Sequence, residues 1–453
     1  MKLFQQMLVV GASLGLIAPI PAQASNIVDL EEMSSYSSSK KKSSRFDSQT
    51  FTNQISKDAA SLKKSSRLDS KTFINEDTAV LKGPTNSIEV QQNVFEAGSF
   101  SDTTTMDGKA VMWIGSVDGG DEMTDGSEST QTGYTYTMNL NTSFTGDDNL
   151  YVRLKTGDQG DQWKKVMPTY HIETKGNSDK YKPDKIWYTW KPFSEKLDEK
   201  LTAFIGPRIE NYYMYITPSI YKPGALKAFK LGGNSNFGAS TDVGAGLKYE
   251  LDNGFGSATN VVDKGADGSK GWFAPSNKTK WDTQVAYTTD RWHVSGTISN
   301  ARNWTSHSYN ATTKGAQAAR DSIGTALRAY WMPEETGTIV PEVSLGYDTK
   351  SYGGVETAGN TTEATSYMVG LTWKDIFLGD DKIGFAFTQP LAATEVQGGG
   401  TTNEVDPQLW ELYYSFRPND SMEITPAIFG GNDVLADNDD DIFGMVVTSK
   451  FKF

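Results

Sequence analysis

The sequence contains no cysteine, which excludes disulfide scaffolds, thiolate zinc sites and thiol nucleophiles. It has three histidines, His171, His293 and His307. None stands in a Ser-His-acid or His-based metal spacing. No catalytic residue, cofactor or metal is therefore expected, and the chain reads as something other than an enzyme. Apolar residues make up only 37% and the mean hydropathy is −0.49. Past the first two dozen residues no apolar run approaches the ~18 that a membrane-spanning helix needs. Aromatic residues are nevertheless plentiful at 11%, with 43 glycines. Low hydropathy with many aromatics and glycines does not suit a disordered chain. It suits β-structure whose faces alternate between apolar and polar.

The first segment reads as an export signal. Met1-Lys2 is followed by an apolar run from Met7 to Ile20 and by Ala22-Gln23-Ala24, a small-x-small cleavage pattern. Cleavage after Ala24 removes one lysine and no acid. That leaves 42 basic against 56 acidic residues, a charge of −14. Such a balance does not point to nucleic acid. Residues 25–93 form a Ser/Lys-rich extension. Its stretch Lys41 to Phe51 recurs 22 residues on as Lys63 to Phe73. Two copies are too few for a solenoid. The composition fits a solvated, mostly disordered tether, or a basic segment that engages peptidoglycan-linked polymers.

From residue 94 onward the pattern is that of strands. Tyr134, Tyr136, Met138, Leu140 and Phe144 alternate with Thr135, Thr137, Asn139, Asn141 and Ser143. Similar alternation marks Ile186/Tyr188/Trp190, Val243/Ala245/Leu247/Tyr249, Trp281/Val285/Tyr287, Tyr367/Val369/Leu371/Trp373 and Trp410/Leu412/Tyr414/Phe416. About sixteen segments are countable from Ala110 to Phe453, with Phe255 to Val261 among the weakest. Short links alternate with long ones. Thr145 to Asn149, Asp252 to Gly254 and Pro418 to Ser421 are short, while Thr156 to Asp184, Pro207 to Ser240 and Pro390 to Pro407 are long. That parity, with an apolar and aromatic outer face, predicts an all-β, transmembrane, up-and-down antiparallel barrel of about 16 strands in an outer membrane. A secreted sandwich would not sort its loops this way.

Three stretches resemble the porins of cyanobacterial outer membranes, the group related to carbohydrate-selective (OprB-type) and iron-uptake porins. They are Met1 to Gln6 with Val28-Asp29-Leu30, Phe95 to Thr104, and Trp410 to Phe429 with its Phe416-Arg417-Pro418-Asn419-Asp420-Ser421 turn. The resemblance covers the signal and most of residues 94–453. It departs between Tyr36 and Asn93, where relatives carry a surface-layer-homology module and a coiled coil. It implies a channel for inorganic nutrients, carbohydrates or iron species. The terminal Phe451 and Phe453 resemble the signal read by the barrel assembly machinery. Outer-membrane lipid and a homotrimeric arrangement are further implied partners. An envelope-linking structural protein held to peptidoglycan by the extension is the alternative. A barrel enzyme is a more distant one.

A barrel of sixteen strands encloses more space than wall side chains fill. Its selectivity then depends on wall charges and on any link that folds inward. By analogy with general porins, the Pro207 to Ser240 link is where a constriction would be placed; it either folds inward and narrows the pore or lies over the outer mouth. Its candidates are Arg208, Glu210, Lys222, Lys227 and Lys230, with Tyr212, Tyr213 and Tyr221. Inward wall candidates are Arg153, Lys155, Lys191, Lys248, Arg291 and Arg328, opposed by Glu342 and Glu411. The tyrosines would also offer stacking faces to sugar rings. The acidic groups Asp118/Asp121/Glu122/Asp125 and Asp437/Asp439/Asp440/Asp441 fall in long loops, either solvated or holding divalent cations that bridge to lipopolysaccharide, and the basic run Lys175 to Lys185 reads as solvated.

Overall fold

A computed structural model describes residues 103–453 except 120–128, 159–172, 174, 176, 178, 198, 234–235, 237–240, 266–270, 305–319, 354–359, 399–406 and 435–440. The signal, the Ser/Lys-rich extension, His171, His307 and most of the two acidic groups lie outside the described residues.

The first eight strands are β1 (Thr104–Asp118), β2 (Gln131–Thr142), β3 (Asn149–Asp158), β4 (Lys182–Trp190), β5 (Leu201–Glu210), β6 (Thr241–Glu250), β7 (Phe255–Lys264) and β8 (Lys278–Thr288). The second eight are β9 (Trp292–Trp304), β10 (Arg320–Trp331), β11 (Glu342–Tyr352), β12 (Thr361–Lys374), β13 (Lys382–Val396), β14 (Gln408–Asn419), β15 (Met422–Asn432) and β16 (Ile442–Lys452). Each pairs antiparallel with its sequence neighbours, and β1 pairs with β16, so the sixteen close into one barrel. Closure leaves no sheet edge unpaired, which a lipid setting requires. At the seam Ala110 faces Phe451 and Trp113 faces Thr448. The Phe453 ring stacks on Tyr136 at 5.7 Å, which fastens the chain end to β2.

The period-two reading holds along the wall. On β8, Lys280, Asp282 and Gln284 are buried while Trp281 and Val285 are exposed. On β10, Ala326 and Arg328 are buried while Ile323 and Leu327 are exposed. The exposed apolar side chains therefore sit outside and the buried polar ones inside, the inverse of a water-soluble fold.

One rim carries the short links 143–148, 191–200, 251–254, 289–291, 332–341, 375–381 and 420–421. Two of these turns are tied by a single carboxylate. Asp148 accepts the Phe144 and Thr145 N–H groups and the Ser143 hydroxyl, each at 2.9 Å, and the Tyr188 hydroxyl at 2.7 Å. Asp381 accepts the N–H groups of Ile376, Phe377 and Leu378 and the Tyr414 hydroxyl.

The strands differ from the sequence reading at two prolines. Pro207 and Pro390 read as strand ends, but β5 continues to Glu210 and β13 to Val396. The register of β5 shifts between Gly206 and Ile209, and that of β13 against β12 shifts around Tyr367 and Gln389. A bulge takes a residue out of the ladder, so the missing proline N–H costs nothing there. The weak Phe255 segment is a full strand, β7. The barrel also begins earlier than Ala110, at Thr104.

Candidate functional site

Residues 211–240 link β5 to β6, and the described ones, 211–233 and Asn236, lie against the inner wall. The link begins as a short 3-10 helix, Asn211–Met214. Met214 packs with Tyr151, Trp187, Phe204, Ile209 and Val262 of the near wall. The hydroxyl of Tyr215 and the amide of Asn211 both donate to Asp282 of β8. Ile216 and Gln284 exchange two hydrogen bonds, at 2.8 and 3.0 Å.

The link then reaches a second patch of wall. Tyr221, Ala225, Leu226 and Phe229 enter an apolar cluster with Met368, Ala386, Leu409, Tyr413 and Phe429. Each large side chain buried there contributes about 1.5–3 kcal/mol. Glu411 of β14, fully buried, anchors this segment. Its carboxylate accepts the Tyr221 hydroxyl at 2.8 Å and the N–H groups of Gly224, Ala225 and Leu226 at 3.0, 3.1 and 2.7 Å. Four donors offset part of what the charge loses with its water.

A third anchor is Arg328 of β10. Its guanidinium donates to the carbonyls of Leu231 and Gly233, both at 2.8 Å, and pairs with Asp348 at 2.9 Å. Asn236 donates to Asp348 and to two carbonyls of the wall, and its own carbonyl accepts from Lys280. Here the link backbone touches the wall. A Cβ at Gly346 would lie 1.8 Å from the Gly232 carbonyl oxygen. Gly232 and Gly233 take φ of +73° and +94°, which glycine adopts at little cost.

The candidates distribute as follows. Tyr212, Tyr213, Tyr221, Lys222, Lys227 and Lys230 lie on the link. Arg208 and Glu210 do not: the bulge carries β5 past them. Arg208 is exposed, with its guanidinium on the Asp184 carbonyl at 3.3 Å, while Glu210 is buried against Lys185. Arg153, Lys155, Lys248, Arg328, Glu342 and Glu411 belong to strands. Lys248 pairs with Glu250 at 2.8 Å and Glu342 with Lys374 at 2.6 Å. Lys191 and Arg291 are turn residues at the short-link rim, paired with Glu199 at 2.6 Å and Glu334 at 3.3 Å. The strands end at Trp190 and begin at Trp292, so counting by parity ran one residue too far in each case. His293 faces inward, stacked on Tyr330 with ring centres 4.8 Å apart and its Nδ1 2.7 Å from the Thr288 hydroxyl.

A charged group that the sequence reading passed over lines the β1–β4 side. Glu173 pairs with Lys109 at 3.0 Å and Lys450 at 3.7 Å. Asp184 pairs with Lys175 at 2.7 Å and Lys185 at 3.7 Å. Lys185, read as part of a solvated run, is a buried residue of β4. The signal for it was its place in the alternation with Ile186, Trp187 and Tyr188. The tyrosines are likewise engaged with one another. Tyr151 and Trp187 lie 4.3 Å apart, Trp187 and Tyr213 5.6 Å, and Tyr212 and Tyr213 4.6 Å. Arg153 donates to the Tyr213 hydroxyl at 3.2 Å, and Lys230 to that of Tyr212 at 2.7 Å.

No protein-family model matches this chain, and no curated protein matches it. Solved structures with a similar course of chain include a mutant of the Rh. blastica porin. It is 10% identical, with 77% of this chain and 100% of that chain covered and a TM-score of 0.45. A loop-deletion mutant of OmpT, an outer membrane protein of Vibrio cholerae, is 11% identical over 78% of this chain and 99% of that chain, with a TM-score of 0.49.

Proposed function

We propose that the chain is an outer-membrane porin, an aqueous channel for passive diffusion of ions and small hydrophilic solutes, narrowed by the 211–240 link. One observation carries the reading. The longest link of a closed sixteen-stranded barrel with an apolar outer face is docked on the inside of the wall, at Asp282, Glu411 and Arg328. A barrel that served only as an anchor would have no use for a polar lumen with a tethered partition. The basic residues Arg153, Lys155, Lys227 and Lys230 bias this channel toward anions, because low-dielectric walls focus their field. Inorganic nutrients suit that bias better than carbohydrates, since Arg153 lies over the rings of Tyr151 and Tyr213 and Lys230 over that of Tyr212. Iron species and a cyanobacterial envelope rest on the sequence resemblance alone, as does a trimeric assembly. The purified protein in a planar bilayer is expected to give discrete conductance steps in potassium chloride, with a reversal potential on the anion side in a salt gradient. Absence of steps from protein that shows heat-modifiable gel mobility would overturn the reading.

A further inference from the structure

Four cations of the lumen have no carboxylate within ion-pair distance among the described residues: Arg153 and Lys155 on β3, Lys227 and Lys230 on the inward link. The neighbouring acids are already taken. Glu173 is held by Lys109 and Lys450, Asp184 by Lys175 and Lys185, and Glu210 by Lys185, while Asp107 on β1 accepts from the Asn139 and Asn141 amides. Arg153 and Lys230 at least have phenol oxygens, and Arg153 the Asn139 side chain as well. Lys155 and Lys227 have no hydrogen-bond acceptor among the described residues. Both are half-buried. Arg153 and Lys230 join the wall to the link through the Tyr212–Tyr213 pair. Lys155 follows Arg153 by two positions on the same face of β3, and Lys227 precedes Lys230 by three on the link, so the four charges belong to one wall–link junction.

Placing like charges together in a partly desolvated space is costly unless something negative answers them. We infer that Arg153, Lys155, Lys227 and Lys230 form a transit site for a small multivalent oxyanion of the phosphate or sulfate class. The chemistry favours an oxyanion over chloride. Two lysine ammonium groups with open donors, beside a guanidinium, ask for several acceptor oxygens carried on one centre. The charge count favours more than one negative charge, because among the described residues no carboxylate lies within ion-pair distance of these four cations. Binding has to stay weak enough for release, as in any conducting site. The inference rests on the channel reading and names the solute class for it.

The test records chloride current through single channels at neutral pH while inorganic phosphate is added on one side, with an equal charge of chloride added as the control for ionic strength. Phosphate is expected to reduce the chloride current, and chloride is not. In Lys155→Gln/Lys227→Gln the half-blocking phosphate concentration should rise about tenfold or more, the loss of one or two charge-assisted contacts. Lys155→Arg/Lys227→Arg should keep the block, and Lys191→Gln, at the rim, should leave it unchanged. Heat-modifiable mobility of each variant confirms a closed barrel. Chloride steps with no phosphate effect would overturn the oxyanion site and leave the channel standing. A block that persists unchanged in the double glutamine variant would overturn the assignment to these residues. No chloride steps in the unaltered protein would instead overturn the channel itself.

Discussion

Glu411→Ala is expected to release the middle of the inward link. The substitution removes both oxygens that hold Tyr221, Gly224, Ala225 and Leu226. Each buried donor left without a partner costs about 1–3 kcal/mol. The link can undock and give those donors to water, so the full sum is not paid. The docked state should still lose about 3 kcal/mol, which lowers the docked-to-undocked ratio about a hundredfold. The apolar cluster around Phe229 and the Arg328 anchor oppose complete detachment, so the expected product is a link that fluctuates. The barrel ladder does not pass through Glu411's side chain, and heat-modifiable mobility should persist. Single-channel recording should show larger and noisier conductance steps. Glu411→Gln keeps one acceptor oxygen and should fall between the two. Conductance and noise equal to those of the unaltered protein, in a folded Glu411→Ala barrel, would refute the claim that the docked link limits flow.

Further outcomes follow from the same geometry. Gly346→Val should act like Glu411→Ala, because its Cβ would meet the Gly232 carbonyl, and a recording with unchanged conductance would count against that close approach. Lys222→Glu/Lys227→Glu/Lys230→Glu should move the reversal potential toward cations, and a potential that stays put would place these side chains outside the conducting path. Deleting residues 40–85 should leave conductance unchanged, whereas a lost or halved conductance would assign that segment to the pore. At the rim, burial works against ionisation of Asp381, but three backbone N–H groups and the Tyr414 hydroxyl outweigh it and hold the carboxyl below its ordinary 3.8. A lowered value in the folded state means the stabilisation is present above pH 3.8 and fades as pH falls below it. Asp381→Asn should therefore lower the unfolding temperature at pH 7, and the gap should narrow below about pH 4. A gap that widens in acid would contradict the sign.

The barrel was legible because its signal is repeated. Outward apolar residues recur at period two on many strands, and link lengths sort by parity, so an error in one strand leaves the count intact. Proline misled at positions 207 and 390, since a missing N–H reads as an end while a bulge tolerates it. The docking of the link was legible only in its length. Its anchors are single residues far from their partners in sequence. Glu411 lies 185 positions from Leu226, and no local pattern announces such a pairing. Arg328 and Glu411 were found as inward residues because parity tells which way a strand residue points. What each touches depends on how the link crosses the lumen, which parity does not encode.

Net charge illustrates the same limit. The whole chain is acidic by 13 charges, yet the half-buried lumenal residues Arg153, Lys155, Lys227 and Lys230 lack acidic partners. The acids that do face inward are spent on structure. Glu411 is consumed by backbone donors, Asp348 by Arg328 and Asn236, and Asp282 by Tyr215, Asn211 and Lys280. A carboxylate that accepts several short hydrogen bonds still carries its charge, but its field is partly cancelled by the dipoles that solvate it. On the proposed channel reading, the same residues that tether the link withdraw negative charge from the passage and leave the basic residues to set its sign. Weakening a tether and changing the selectivity are for this reason coupled. A link released by Glu411→Ala would carry Lys227 and Lys230 away from Arg153 and Lys155, and anion preference should fall as conductance rises.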